Sequence, residues 1–145
     1  MEAIDLLKSR RSVLVKNLTS PGPDKEDLQQ ILEVGLRVPD HGKIGPWRIQ
    51  VITPKGQKTL GDLAAKIFTN KYGERATEKQ IEAERQRPQR APVLLIVTSD
   101  IQSQHKIPEL EQRLSGGAVC MNILNAAHAL GYSAQWVTEW LSFDT

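Results

Sequence analysis

The sequence is poor in several features, and each scarcity closes a class of explanation. It holds one cysteine, Cys120, so no disulfide can form within the chain. Its 19 lysines and arginines nearly cancel 17 acidic residues, leaving a formal net charge of +2. So small an imbalance gives no electrostatic reason to expect nucleic acid or an anionic membrane as partner. No apolar run approaches the roughly 20 residues that span a bilayer. The opening "MEAIDLLKSRRS" lacks the basic start and continuous apolar centre of a secretory signal, so the expected location is the cytoplasm. His41, His105 and His128 are isolated from one another and from other soft ligands, so no metal site is expected. The Gly-rich dinucleotide fingerprint, the P-loop and the Gly-x-Ser-x-Gly elbow are all missing.

What is present is the composition of an ordinary globular protein, 39% hydrophobic and 25% charged over 145 residues. That length suits one domain, residues 1–145, with a real core. Ile4, Leu6 and Leu7 place a short helix over residues 2–9. Asp24 can cap a second, in which Leu28, Ile31, Leu32, Gly35 and Leu36 recur at helical spacing before Pro39 ends it. Trp47, Ile49 and Val51 alternate with Arg48 and Gln50, the pattern of a half-buried strand. Leu60, Leu63, Ala64, Ile67 and Phe68 mark a third helix, and Thr77 with Gln80 form a capping box for a charged fourth. "APVLLIVTS", residues 91–99, reads as a strand buried on both faces. The longest helix follows Pro108 and stops at Gly131. Gly116 and Gly117 should weaken it unless something packs very close. Cys120, in the apolar run "GGAVCMNIL", reads as packing. "SAQWVTEW", residues 133–140, reads as a third strand. An α+β or mixed α/β domain follows.

Two clusters carry chemistry. Arg10, Arg11 and Ser12 offer two guanidinium forks and a hydroxyl, suited to a phosphate and the oxygens of a cofactor. The same arginines could instead complement a helix C-terminus. In "LRVPDHGKIGPWRIQVIT", residues 36–53, Pro39, Asp40, His41, Pro46 and Trp47 crowd into one loop. A loop histidine bonded to backbone and a tryptophan in the core are the plain readings of His41 and Trp47. The basic run "ERQRPQR", residues 84–90, has no interleaved aromatics and reads as a solvated helix end.

Four stretches in order, "AIDLLKSRRS", "LQQILEVGLRVPDHGKIGPWRIQVI", "RAPVLLIVTSD" and "HKIPELEQRLSGGAVCMNILNAAHALGYSAQW", together resemble the FMN-dependent nitroreductase family in its short single-domain branch. The resemblance implies a mixed β-sheet flanked by helices, with a long central helix at a dimer interface where the paired glycines allow close packing. It implies a flavoenzyme that takes hydride from NADH or NADPH and reduces nitroaromatics, quinones or related acceptors by a ping-pong mechanism, with no catalytic side chain beyond the flavin chemistry. Carried over residue by residue, FMN would be held by Arg10, Arg11 and Ser12, by Trp136, Val137 and Thr138, and by the partner subunit's copies of Arg37, Pro39 and His41. A nicotinamide-contacting stretch would comprise Ala126, Ala127, His128, Ala129, Leu130 and Gly131. Shared flavin sites imply a two-fold homodimer. The family's usual further helix, final strand and tail are not represented after Thr145, so a C-terminally short form is expected. Glu139 stands where relatives often carry a small or basic residue, and is expected to repel phosphate or alter nicotinamide access. The rival readings are a flavin-binding or flavin-free relative without turnover, and a polyanion- or protein-binding module built on residues 85–90.

Overall fold

Asp24 starts the helix that positions much of the fold: its side chain accepts the backbone N–H of Asp27 at 2.9 Å, relieving one of the orphan donors of a helix start. In this computed structural model, which describes residues 2–143, the helices are α1 (Ala3–Ser9), α2 (Lys25–Gly35), α3 (Pro54–Tyr72), α4 (Glu78–Gln86) and α5 (Glu109–Ala129). Two strands, β1 (Trp47–Ile52) and β2 (Leu94–Ser99), pair with each other. They run antiparallel, and the Asp100 N–H continues the ladder to the Pro46 carbonyl at 2.9 Å. The α+β class read from the sequence is the class observed.

The chain divides into two compact units. The first contains the chain up to Leu14, Pro23–Gln50 and Leu95–Trp136. Its core is Ile31 of α2 with Val119, Ile123, Ala126 and Ala127 of α5, and Trp47, Ile49, Leu95 and Val97 from the strands pack on it. Each large apolar side chain buried there contributes about 1.5–3 kcal/mol. The approach of α2 to α5 depends on Gly35, where a Cβ would lie 2.6 Å from Ile123 Cγ1. Helix α5 ends as the sequence indicates: Gly131 takes φ +88°, and Tyr132 N–H returns to the Ala127 carbonyl at 2.9 Å.

The second unit contains Val15–Gly22, Val51–Leu94 and the chain from Val137 onward. Thr53 caps α3 by accepting the Gly56 N–H, and Thr77 and Gln80 complete the expected capping box on α4. Helices α3 and α4 meet at Gly61, where a Cβ would fall 2.0 Å from the Arg85 carbonyl oxygen.

Two sequence expectations give way. Residues 133–139 form no strand, and Trp140–Ser142 make a short 3₁₀ turn. The physical reason lies in the side chains: Trp136 and Val137 are half-exposed, so the alternation has no apolar face to bury, while Glu139 and Trp140 bond toward α4. Strand β2 is half-buried through Val97 and exposed at Thr98 and Ser99. Among the described residues β1 is its only partner in the sheet, and none of its residues is fully buried, so it is not covered on both faces.

Candidate functional site

The loop that carries Pro39, Asp40, His41, Pro46 and Trp47 is held by α5. Asp40 stiffens it internally, its carboxylate accepting the N–H groups of Ile44 at 3.2 Å and Gly45 at 2.9 Å. Gly42, Lys43 and Gly45 adopt φ of +71°, +54° and +57°, a left-handed course that glycine takes without strain. Ser115 of α5 donates its hydroxyl to the Pro39 carbonyl at 2.7 Å and accepts the Trp47 indole N–H at 3.1 Å. Asn122, two turns along, donates to the carbonyls of Val34 and Arg37 at 3.3 and 3.0 Å. Glu111, one turn before Ser115, contacts His41 Nδ1 at 2.8 Å.

Glu111, Ser115 and Asn122 fall on one stripe at helical spacing, so a single face of α5 sets the course of residues 34–41. Sequence reasoning missed this face. Its signal was three polar residues at helical spacing on one stripe of α5. Pro46 is fully buried and turns the loop into β1. The recess lined by Asp40, His41, Pro46, Glu111 and Ser115 has room for little more than a water molecule, far below the roughly 300–1,000 Å³ of ligand sites. It is not a substrate pocket by itself.

The two arginines at the end of α1 separate in role. Arg11 Nη1 donates to the carbonyls of Lys8 and Arg10, both at 2.9 Å, and so completes the helix C-terminus. Arg10 does not: its Nη1 is buried with no hydrogen-bond partner in the protein. A buried guanidinium donor left bare is costly, and an oxyanion or carbonyl oxygen from a bound group would satisfy it. Ser12 is exposed beside them. Arg10, Ser12, Arg37, Pro39, His41 and Trp136 all belong to the first unit, while Val137 and Thr138 belong to the second.

Trp136 is half-exposed, and a ring atom lies 3.8 Å from where a Cβ of Gly117 would stand. A Cβ at Gly116 would meet Ser99 Oγ at 3.4 Å. Both are ordinary contacts, so packing within the chain does not itself demand glycine at either position. Of the nicotinamide candidates, Ala126 and Ala127 are core residues, each 5% exposed. His128 Nδ1 donates to the Leu124 carbonyl at 2.9 Å. Ala129, Leu130 and Gly131 reach the surface.

In the second unit, buried Glu84 accepts both Nε and Nη2 of Arg87 at 2.6 Å and the Trp140 indole N–H at 3.0 Å. The Arg87 guanidinium holds the Glu84 carboxyl below its ordinary range, with the indole bond adding to it against the opposing effect of burial. Arg87 also binds Glu139. The carboxylate expected to repel phosphate is therefore paired with a guanidinium. Arg85 is likewise engaged, by Asp62 and Glu82, so two cations of the basic run already serve carboxylates of their own unit. Burial pushes the Cys120 thiol up, which suits packing rather than reactivity. Among the described residues no three His, Cys, Asp or Glu side chains are grouped to hold a metal, and no helix is long and apolar enough to cross a membrane.

Comparisons with known proteins converge on this architecture. The nitroreductase family matches residues 7–145. The chain is 35% identical over 136 residues to "Putative NAD(P)H nitroreductase YdjA" of Escherichia coli (strain K12), covering 94% of this chain and 72% of that protein. Its fold is similar to that of a nitroreductase-like family protein from Bacillus cereus, with a TM-score of 0.80 and 22% identity across 99% of this chain and 73% of the other. A nitroreductase from Bacteroides fragilis NCTC 9343, solved with bound FMN, matches with a TM-score of 0.63 and 21% identity over 90% of this chain and 66% of the other.

Proposed function

Because the chain belongs to the nitroreductase family, a family of oxidoreductases, we propose that it is an FMN-dependent enzyme that uses NADH or NADPH to reduce small acceptors. The buried, unpartnered Nη1 of Arg10 is the observation that carries the flavin assignment. It is a strong donor positioned without an acceptor, and the phosphate or an edge oxygen of FMN supplies one. When bound, FMN supplies two-electron chemistry between the nicotinamide and a nitroaromatic, quinone or related acceptor in ping-pong order.

The chain's own residues bind and orient. Arg11 anchors the end of α1 through its two carbonyl contacts, which fixes the backbone that carries Arg10. Ser12 adds a hydroxyl, and Trp136 supplies a further wall. A positive charge at Arg10 would favour the anionic, reduced form of a neighbouring ring. Ala129, Leu130 and Gly131 are the surface part of the stretch assigned to the nicotinamide.

Arg37, Pro39 and His41 serve the flavin of a second copy. Leu110, Leu114 and Met121 are exposed and share one stripe of α5 with Gly117. An apolar helix stripe facing water is a liability that pairing removes, so this stripe supports a homodimer with shared sites. The lone cysteine suits work in a reducing cytoplasm.

The test is to saturate the purified protein with FMN, remove the excess and record absorbance before and after NADH or NADPH without oxygen. Retained flavin that bleaches supports the reading. Retained flavin that neither nicotinamide bleaches would instead indicate a binding relative without turnover. Arg10→Ala is expected to weaken FMN binding about 10–100-fold, the equivalent of one charge-assisted hydrogen bond. Arg11→Ala should weaken it less, because that guanidinium is already engaged. Unchanged FMN affinity in Arg10→Ala would remove its role in holding the flavin.

A further inference from the structure

We propose that Glu111 is the positioning residue for His41: it accepts the Nδ1 proton, fixes the neutral ring in its Nδ1–H form and leaves Nε2 as the nitrogen offered to a ligand. This rests on the flavin reading above only for the identity of that ligand. An ionised carboxylate accepts and does not donate, so the 2.8 Å contact between Glu111 Oε2 and His41 Nδ1 requires the proton on Nδ1. The imidazole side chain is 62% exposed, so Nε2 lies on a ring open to an incoming group. A carboxylate behind a histidine that selects its tautomer in this way is a recurring device.

The surroundings make the contact more than a chance surface hydrogen bond. Glu111 sits in the first turn of α5, on the same stripe as Ser115 and Asn122, which bond the carbonyls of Pro39 and Arg37. Backbone position and ring orientation of the loop therefore come from one rigid helix face. The positive φ of Gly42 and Lys43, together with the Asp40 bonds to Ile44 and Gly45, limits the paths the loop can take around the ring. An acidic residue at this point would also suit the helix dipole. The two roles separate by substitution: an amide keeps an acceptor oxygen for Nδ1–H while losing the charge.

The protein carries its own controls. His128 Nδ1 faces the Leu124 carbonyl, which also requires a proton on Nδ1. His105 Nδ1 accepts the Ile107 N–H at 3.2 Å, so its neutral ring carries the proton on Nε2. Long-range proton–nitrogen spectra of the flavin-free protein, at a pH where the rings are neutral, should show the Nδ1–H pattern for His41 and His128 and the opposite pattern for His105. Glu111→Gln should keep the His41 pattern, and Glu111→Leu should shift it toward Nε2–H. FMN affinity, read by quenching of flavin fluorescence, should fall about five- to tenfold in Glu111→Leu and less than about twofold in Glu111→Gln, the range of one hydrogen bond. In a His41→Ala background Glu111→Leu should have no further effect.

An unchanged His41 pattern in Glu111→Leu overturns the proposal, as does equal loss of FMN in the leucine and glutamine variants. If His41→Ala binds FMN as tightly as the parent, the flavin assignment of His41 fails. The ring pattern of the flavin-free protein then still decides whether Glu111 sets the tautomer.

Discussion

Ser115 joins three parts of the site with one hydroxyl. Replacing it with alanine leaves the Trp47 indole N–H and the Pro39 carbonyl without that partner, and should cost about 1–3 kcal/mol, read as a lower denaturant midpoint. Glu84 contributes to acid behaviour. Its carboxyl lies below its ordinary value in the folded chain, so its contribution is complete above the unfolded value of about 4.3. It is lost as pH falls through the lower folded value. Glu84→Gln should lower stability by about 1–3 kcal/mol at neutral pH and flatten the acid limb of a stability–pH curve. A variant with the parent's acid limb would show that other carboxylates dominate it.

At the scale of elements, two glycines make opposite forecasts. Gly61→Ala drives a methyl toward the Arg85 carbonyl, so α3 and α4 must separate, at a cost of about 1–3 kcal/mol or more. Gly117→Ala meets only ordinary contact and gains up to about 1 kcal/mol of helix propensity. Its thermal midpoint should hold or rise, unless a second copy approaches there. These positions also show what the sequence could and could not reveal. Gly35 was legible as a member of the α2 stripe, but its closeness to Ile123 depends on a residue 88 positions away. The caps at Asp24 and Thr77, the stop at Gly131 and both strands are local signals, and local physics realised them. The run 133–140 has strand-like residues, yet its outcome was set by Glu84 and Arg87, which no local pattern connects to Glu139 and Trp140. The Arg10–Arg11 cluster was legible as a cluster. Which arginine ends the helix and which stays free depends on side-chain geometry that spacing does not encode.

For the whole molecule, the paired state and the flavin site stand or fall together in the proposed function. Leu114→Glu places charge in the exposed stripe of α5, and should shift the protein toward monomer in sedimentation while weakening FMN retention. Monomer with undiminished FMN would separate the two. The stripe of Leu110, Leu114 and Met121 also bears on how the active form is reached. If it is covered only by a second chain, recovery after denaturation contains a bimolecular step, and flavin binding should return more slowly on dilution. At high concentration the same uncovered stripe competes for non-native partners. Refolding yield should therefore pass through a maximum between a dilute regime limited by encounter and a concentrated one limited by aggregation.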